Sequence, residues 1–270
     1  MSTSHQITWA GISTSGSRKP RNDDSMIAFA SGRDGAELLP AFGSRALDTH
    51  DLVFAVSDGM GGANAGDLAS SLLLGRMSQA IPQTFKLAAA GFYPDCLSHL
   101  AEAVRDVHDH LNREASTSDT QGMAATVALA WFTPENAYLA NVGDSRIYLA
   151  RDGTLEQLSR DHTSAWAQWK RGEIGEVEYR NHPRRAALYE VVGGGHPAVR
   201  PHFAAVPFRR GDTFLICTDG LIDGLWERHI ASALTDHAKS PQSKVDALMN
   251  RALSNAGTDD TTLHVIEIIS

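Results

Sequence analysis

The chain has 270 residues, 42% of them hydrophobic and 21% charged, which fits a folded globular protein with a sizeable core and excludes a disordered one. A formal charge of -8 argues against nonspecific nucleic-acid binding, and no apolar run approaches the roughly 20 residues needed to cross a bilayer. Cys96 and Cys217 lie far apart, the second inside an apolar run, so no disulfide framework is expected. With a first segment, Met1 to Gln6, that lacks the basic and apolar parts of a signal peptide, this points to a cytoplasmic protein. No linker, charge block or internal repeat divides the sequence; the expectation is one domain over 1–270, acting as a monomer without membrane contact.

Short β-like runs come first, at 7–12, 25–30 and 52–56. Asn64 then offers a cap to a helix through Leu68, Leu72 and Leu73, with Asp67 near its positive end. A second helix after Pro94 aligns Leu97, Leu100, Val104, Val107 and Leu111 on one face. His108 and His110 on it are two apart and point to different faces, which argues against zinc. Strands follow at 124–131, 137–142 and 145–150. Arg151-Asp152-Gly153-Thr154 is a hairpin signal, because Asp-Gly supplies the positive φ angles of a two-residue turn. Residues 160–200 carry Trp166, Trp169, Arg171, Arg180, Arg184 and Arg185 and end in Gly193-Gly194-Gly195, which reads as a hinge; a long excursion with some helix is expected. A strand at 213–218, a helix at 243–253 with Val245, Leu248, Met249 and Ala252 inward, and a strand at 261–268 complete the chain. Strands in runs with helices grouped between them give an α+β fold, mostly antiparallel.

The chemistry concentrates where apolar runs stop. Leu52 to Val56 leads into Asp58-Gly59-Met60-Gly61-Gly62, and Phe214 to Cys217 into Thr218-Asp219-Gly220. Each pairs a carboxylate with bare backbone, which suits a hard cation taking oxygen ligands. Asp23, Asp24, Asp144, Asp223, Asp259 and Asp260 also flank expected strand ends or turns. Asp219 and Asp223 are four apart, one helical turn, and face one ion if a helix starts there. Singly, each Asp reads as a turn or cap residue; together, acids in one cleft repel unless cations neutralise them. Oxygen-only donors favour magnesium or manganese over zinc.

Asn22-Asp23-Asp24-Ser25, Ser57-Asp58-Gly59-Met60-Gly61-Gly62, Gly143-Asp144-Ser145-Arg146, Thr218-Asp219-Gly220-Leu221 and Asp259-Asp260-Thr261-Thr262 resemble, in order and spacing, the motifs of the metal-dependent type 2C protein phosphatases, bacterial members above all. The resemblance spans about residues 7–268. It implies a four-layer α-β-β-α sandwich with a metal centre at one edge, holding two divalent cations, manganese or magnesium, and a weaker third. By position, Asp58 would bridge both metals and the Gly59 carbonyl bind one. Asp219 and Asp259 would complete the first, and Asp23 reach the second through water. Asp144 and Asp223, with Asp219, would form the third site, and Asp24 and Asp260 would stand behind the ligands. Residues 160–195 resemble the family's flap, with His182-Pro183-Arg184-Arg185 the clearest match.

The implied reaction is hydrolysis of phosphoserine and phosphothreonine in proteins, by in-line attack of a water bridging the cations. The proton for the leaving alkoxide is assigned to a metal-bound water ahead of His162 or His182. By analogy, the partners are phosphorylated proteins, a serine/threonine kinase that the enzyme opposes, and forkhead-associated proteins. Three positions depart from the pattern. Asp23 stands for Glu, one methylene shorter. Asp260 stands for Asn. Lys19 stands for the phosphate-binding Arg, with Arg18 beside it; lysine holds phosphate as a point charge, without a bidentate fork. Lys19 and Asp23 keep open a catalytically weak phosphoprotein-binding scaffold of the same fold, and a phosphatase of small phosphoesters is a further alternative. A cysteine phosphatase fails, because neither Cys96 nor Cys217 is followed six residues later by Arg. Serine-hydrolase and P-loop motifs are missing.

Overall fold

The computed structural model describes residues 5–18, 20–32, 34–61, 65–89, 96–115 and 119–270, with the side chains of 83–89 outside that description. The chain opens with five strands, β1 (Gln6–Thr14), β2 (Asp24–Gly32), β3 (Gly35–Leu38), β4 (Phe42–Ala46) and β5 (Asp51–Met60). Helices α1 (Gly66–Ala89) and α2 (Cys96–Glu114) follow, then β6 (Ala124–Ala125), β7 (Val127–Phe132), β8 (Asn136–Val142), β9 (Arg146–Arg151) and β10 (Thr154–Gln157). Short helices α3 (Ser164–Lys170) and α4 (Glu176–Arg180) lead to β11 (Val192–Gly193), β12 (His202–Pro207) and β13 (Thr213–Cys217). The chain closes with α5 (Asp219–Gly224), α6 (Glu227–Leu234), α7 (Pro241–Asn255) and β14 (Thr261–Ile268).

One sheet has the order β10-β9-β13-β14-β1-β4; the other runs β11-β6-β5-β7-β8-β12, with β2 on the free side of β5 and β3 beyond it. The pairings are antiparallel. Because side chains alternate across a strand, each sheet presents two apolar faces. On β5, Leu52, Phe54 and Val56 point between the sheets, while Val53 and Ala55 point to α1 and α2. On β14, Ile266 and Ile268 point between the sheets, and Leu263 and Val265 toward α5, α6 and α7. Three apolar layers therefore separate four layers of structure, giving the expected α-β-β-α sandwich. At its centre Phe132 meets Phe214 edge-on, with ring centroids 5.1 Å apart.

The interior strands and α1, α2 and α7 fall where the apolar patterns place them; Asn64 and Pro94 lie outside the described residues. Asp152 (φ 50°) and Gly153 (φ 79°) form the β9–β10 turn read from Asp-Gly. Edge strands β3, β4 and β12 were not legible, since each is mostly exposed or half-buried and lacks clean alternation. Two boundaries also shift. The run at 124–131 breaks into β6 and β7 at Thr126, and β5 continues through Asp58 and Gly59 to Met60 instead of stopping at Val56.

Gly11 on β1 makes room for His264 on β14; a Cβ at residue 11 would lie 2.4 Å from the imidazole. The His264 ring is buried against Phe54, 5.7 Å between centroids, and burial lowers its pKa to about 4. The unfolded chain takes up that proton near pH 6.5, so the fold loses stability as pH falls from about 6.5 toward 4, by roughly 3 kcal/mol in full. His264→Leu should flatten this part of the acid slope. Urea midpoints measured between pH 6.5 and 4.5 should fall less steeply in the variant than in the parent; equal slopes would contradict the assignment.

Candidate metal centre

The end of β5 brings the first acids together. Asp58 lies opposite Asp24 in the β2–β5 register. Its amide donates to the Thr126 hydroxyl at 2.9 Å, and its carbonyl accepts the Thr126 amide at 2.8 Å. Asp58-Gly59 is thus held inside a strand, where the apolar run had suggested a position just past its end. Gly59 donates to the Asp23 carbonyl at 3.1 Å. A Cβ on Gly59 would stand 1.8 Å from the Gly66 carbonyl oxygen, and one on Gly66 would meet the Asp23 carboxylate at 2.8 Å. Two glycines thus let β5, the start of α1 and the 22–24 loop approach to a distance side chains forbid.

Asp260 fastens the same loop. One carboxylate oxygen accepts the Gly16 amide at 2.8 Å and the other the Asp23 amide at 2.7 Å. An Asn there would have a single acceptor oxygen, so the departure from the family pattern suits this loop. Asp24 is buried and accepts the Thr218 hydroxyl at 2.7 Å, tying the residue before Asp219 to β2. Burial, against its bonds to Thr218 and Thr262, pushes the Asp24 carboxyl up to about 7, with Asp260 and Asp259 adding to the rise.

Asp144, Asp219, Asp223 and Asp259 then share a cavity of about 100 Å³ with Arg146, Asp161, Tyr179 and Arg185. A helix does start at Asp219, so Asp219 and Asp223 occupy successive turns of α5. Five carboxylates line the cavity against two guanidiniums. Burial, and then Asp144, Asp58, Asp223 and Asp259, drive the Asp219 carboxyl well above the carboxylate range. Asp144 is pushed up to about 7 by burial and Asp161, despite Arg146 and Arg185. This excess of clustered oxygen donors, most of them half-buried, fits divalent cations. Among the described residues no three His, Cys, Asp or Glu side chains form a ready-made cage. A water-rich site with one or two carboxylates per ion, as magnesium prefers, needs none.

Asp23 and Asp58 do not line this cavity; Asp58 is near enough to raise Asp219, and the Asp23 carbonyl accepts the Gly59 amide. Lys19 lies outside the described residues. Arg18 is exposed on a loop pinned by Ser17 to the Gly257 carbonyl at 2.9 Å, close in the chain to Asp259. Neither candidate histidine lines the cavity. His162 Nδ1 accepts the Gly143 amide at 3.0 Å, and His182 Nδ1 accepts the Arg184 amide at 3.1 Å.

The sequence reading gave no role to the support under this cavity. Arg146, fully buried, grips Asp161 with a closest contact of 2.7 Å and donates to Tyr148 at 2.8 Å and Tyr179 at 2.5 Å. The signal was available: an arginine heading the apolar run Ile147-Tyr148-Leu149 needs a buried partner. Arg185 pairs with Asp223. The Gly193-Gly194-Gly195 run is no hinge. Gly193 donates to His108 Nδ1 at 3.1 Å, Gly194 to the Met123 carbonyl at 2.9 Å and Gly195 to Asn112 at 2.9 Å, so positive-φ glycines seat the chain on α2 and β6.

The protein phosphatase 2C family model matches residues 40–256. The serine/threonine phosphatase stp of Listeria welshimeri is 33% identical over 213 residues, 78% of this chain and 82% of that protein. The crystal structure of the Mycobacterium tuberculosis serine/threonine phosphatase PstP/Ppp superposes with a TM-score of 0.78 at 28% identity, covering 98% of this chain and 100% of that one. A structure of the PstP catalytic domain in complex with two manganese ions gives 0.76 at 26% identity, covering 98% and 100%.

Gly59→Ala should lower stability by about 1–3 kcal/mol, because the added methyl has backbone and no flexible side chain to push aside. Asp260→Asn should cost about 1–3 kcal/mol through one lost acceptor. Urea unfolding measures both; changes within about 0.5 kcal/mol, the range of ordinary surface substitutions, would contradict these roles.

Proposed function

The chain belongs to the protein phosphatase 2C family and is a metal-dependent protein serine/threonine phosphatase, and we propose that the acid cavity around Asp219 is where it removes phosphate from phosphoserine and phosphothreonine. The observation that carries this reading is the crowding of Asp58, Asp144, Asp223 and Asp259 on Asp219. Asp58, the Gly59 carbonyl, Asp219 and Asp259 hold two divalent cations, manganese or magnesium, with Asp23 reaching the second. Asp144 and Asp223, with Asp219, form a weaker third site, consistent with the Arg185 cation already paired to Asp223. Bound cations supply Lewis-acid polarisation of the phosphoryl oxygens and activation of the attacking water. Lys19 and Arg18 bind the phosphate and orient it. Asp24 and Asp260 fix the loops that carry the ligands.

Among the described residues no helix is long and apolar enough to cross a membrane. The proposal extends to a monomeric cytoplasmic enzyme of one domain over 1–270, with 160–195 as its flap. It opposes a serine/threonine kinase and acts on forkhead-associated proteins. No observation favours the scaffold or small-phosphoester alternatives.

A phosphothreonine peptide should turn over with manganese and stop with chelator. Asp219→Ala should lower kcat/KM by more than about 100-fold, exceeding the 10- to 100-fold carried by groups that merely support ligands. Folded wild-type protein inactive across metals and peptides would contradict the reading. Lys19→Arg should lower KM roughly fivefold, the value of about one added hydrogen bond, with kcat little changed. An unchanged or higher KM would remove residue 19 from the phosphate site.

A further inference from the structure

A second cavity, of about 450 Å³, opens where β12 meets α3 and the segment after the flap, with Arg160, His162, Trp166, Tyr189, Arg200 and His202 among its walls. A groove of about 620 Å³ continues from it, sharing Arg160, Trp166 and His202. Arg160 and Arg200 are both exposed, and neither guanidinium forms an ion pair with an acid among the described residues. Glu190 is the acid in this wall, and one of its oxygens is engaged by the Arg200 amide at 3.2 Å. In the adjoining groove Arg160 and Lys170 are balanced by Glu156 and Glu227, the latter 3.8 Å from Lys170, whereas the 450 Å³ cavity is net cationic in a chain of formal charge -8. His202 responds to it: burial, then Arg160 and His162, lower its pKa to about 4.

This cationic cavity is tied to the acid cavity by two short paths. Asp161 lines the acid cavity and His162, the next residue, lines the 450 Å³ cavity. Arg185 lines the acid cavity and Tyr189 the 450 Å³ cavity, four residues on, which limits their Cα separation to roughly 14 Å. The connecting segment is held down by the Thr163–Leu188 bridge and by the Tyr189 amide on the His162 carbonyl at 3.0 Å. An extended peptide with its phosphoresidue in the acid cavity spans that distance in about four to five residues.

We propose that the 450 Å³ cavity between Arg160 and Arg200 binds a second anionic side chain of the protein substrate, phosphorylated or carboxylate, some four to five residues from the phosphate being removed. Two unpaired guanidiniums offer forked donors to either group, and the Trp166 and Tyr189 rings offer apolar walls to the peptide between. The inference rests on the phosphoprotein-phosphatase reading of the acid cavity and adds selectivity to it: doubly modified or acidic segments are preferred over isolated phosphothreonines.

The test compares phosphothreonine peptides carrying serine, glutamate or phosphoserine four or five residues away, on either side. On the favoured side kcat/KM should rise about tenfold for phosphoserine and less for glutamate, a ratio that falls to near one in Arg160→Ala/Arg200→Ala and is largely kept in Arg160→Lys/Arg200→Lys. A gain from phosphoserine alone makes the ligand a phosphate; equal gains make it any anion. Equal turnover of all peptides by the wild type, or a preference that survives the double alanine variant, overturns the proposal. Binding is read separately from catalysis by anisotropy of the labelled phosphoserine peptide in chelator. If no peptide is hydrolysed, the proposed reaction fails by itself. Saturable binding lost in the double variant still supports the Arg160–Arg200 cavity, and no saturable binding overturns it.

Discussion

Like charge at short range is the constraint around which this protein is built. Asp219 sits where Asp144, Asp58, Asp223 and Asp259 all raise the cost of its ionisation. In water such repulsion is weak, but in a desolvated cavity it is large enough to keep protons on the carboxylates or to demand a cation. Nothing about the fold requires acids there. Their cost is acceptable because rigid backbone, fastened at many points, prevents the carboxylates from moving apart.

The fastening comes from both sheets. β5 delivers Asp58 and Gly59, β13 and α5 deliver Asp219 and Asp223, and the start of β14 delivers Asp259 and Asp260. The Asp24–Thr218 bond ties β2 in one sheet to the residue after β13 in the other. Asp260 ties the 16–23 loop to β14. Beneath Asp144 the Arg146–Asp161 pair is itself buried; removing either partner leaves an uncompensated charge, so the pair constrains the cavity floor more than it adds net stability. Gln157 extends this network, donating to Asp161 at 2.8 Å and accepting from Trp166 at 3.1 Å. The acid cavity and the Arg160–Arg200 cavity thus share one set of hydrogen bonds, through Trp166.

Much of this was legible in the sequence where burial writes a pattern. Interior strands alternate or run apolar, α2 repeats on one face, and Asp-Gly between two runs gave the β9–β10 turn. The Asp219/Asp223 spacing anticipated α5. Where exposure erases the pattern, as in β3, β4 and β12, the strands were invisible. Asp58-Gly59 marked the site but hid the strand's true end, because pairing with Asp24 and Ala125 keeps those residues extended past Val56. The glycine run at 193–195 misled, since its partners on α2 are more than 80 residues away in sequence. Arg146 and Asp161 could be paired only once the β9–β10 hairpin had folded them together.

The central claim is that Asp219 and Asp144, whose carboxyls burial and neighbouring acids push upward, give up protons when a divalent cation binds. Manganese titration by calorimetry at pH 6.5, repeated in buffers of different ionisation enthalpy, measures binding and proton release together. Two manganese ions should bind with net release of protons, and Asp219→Ala should release fewer. Binding with no proton release, or no binding to well-folded protein, would contradict the claim.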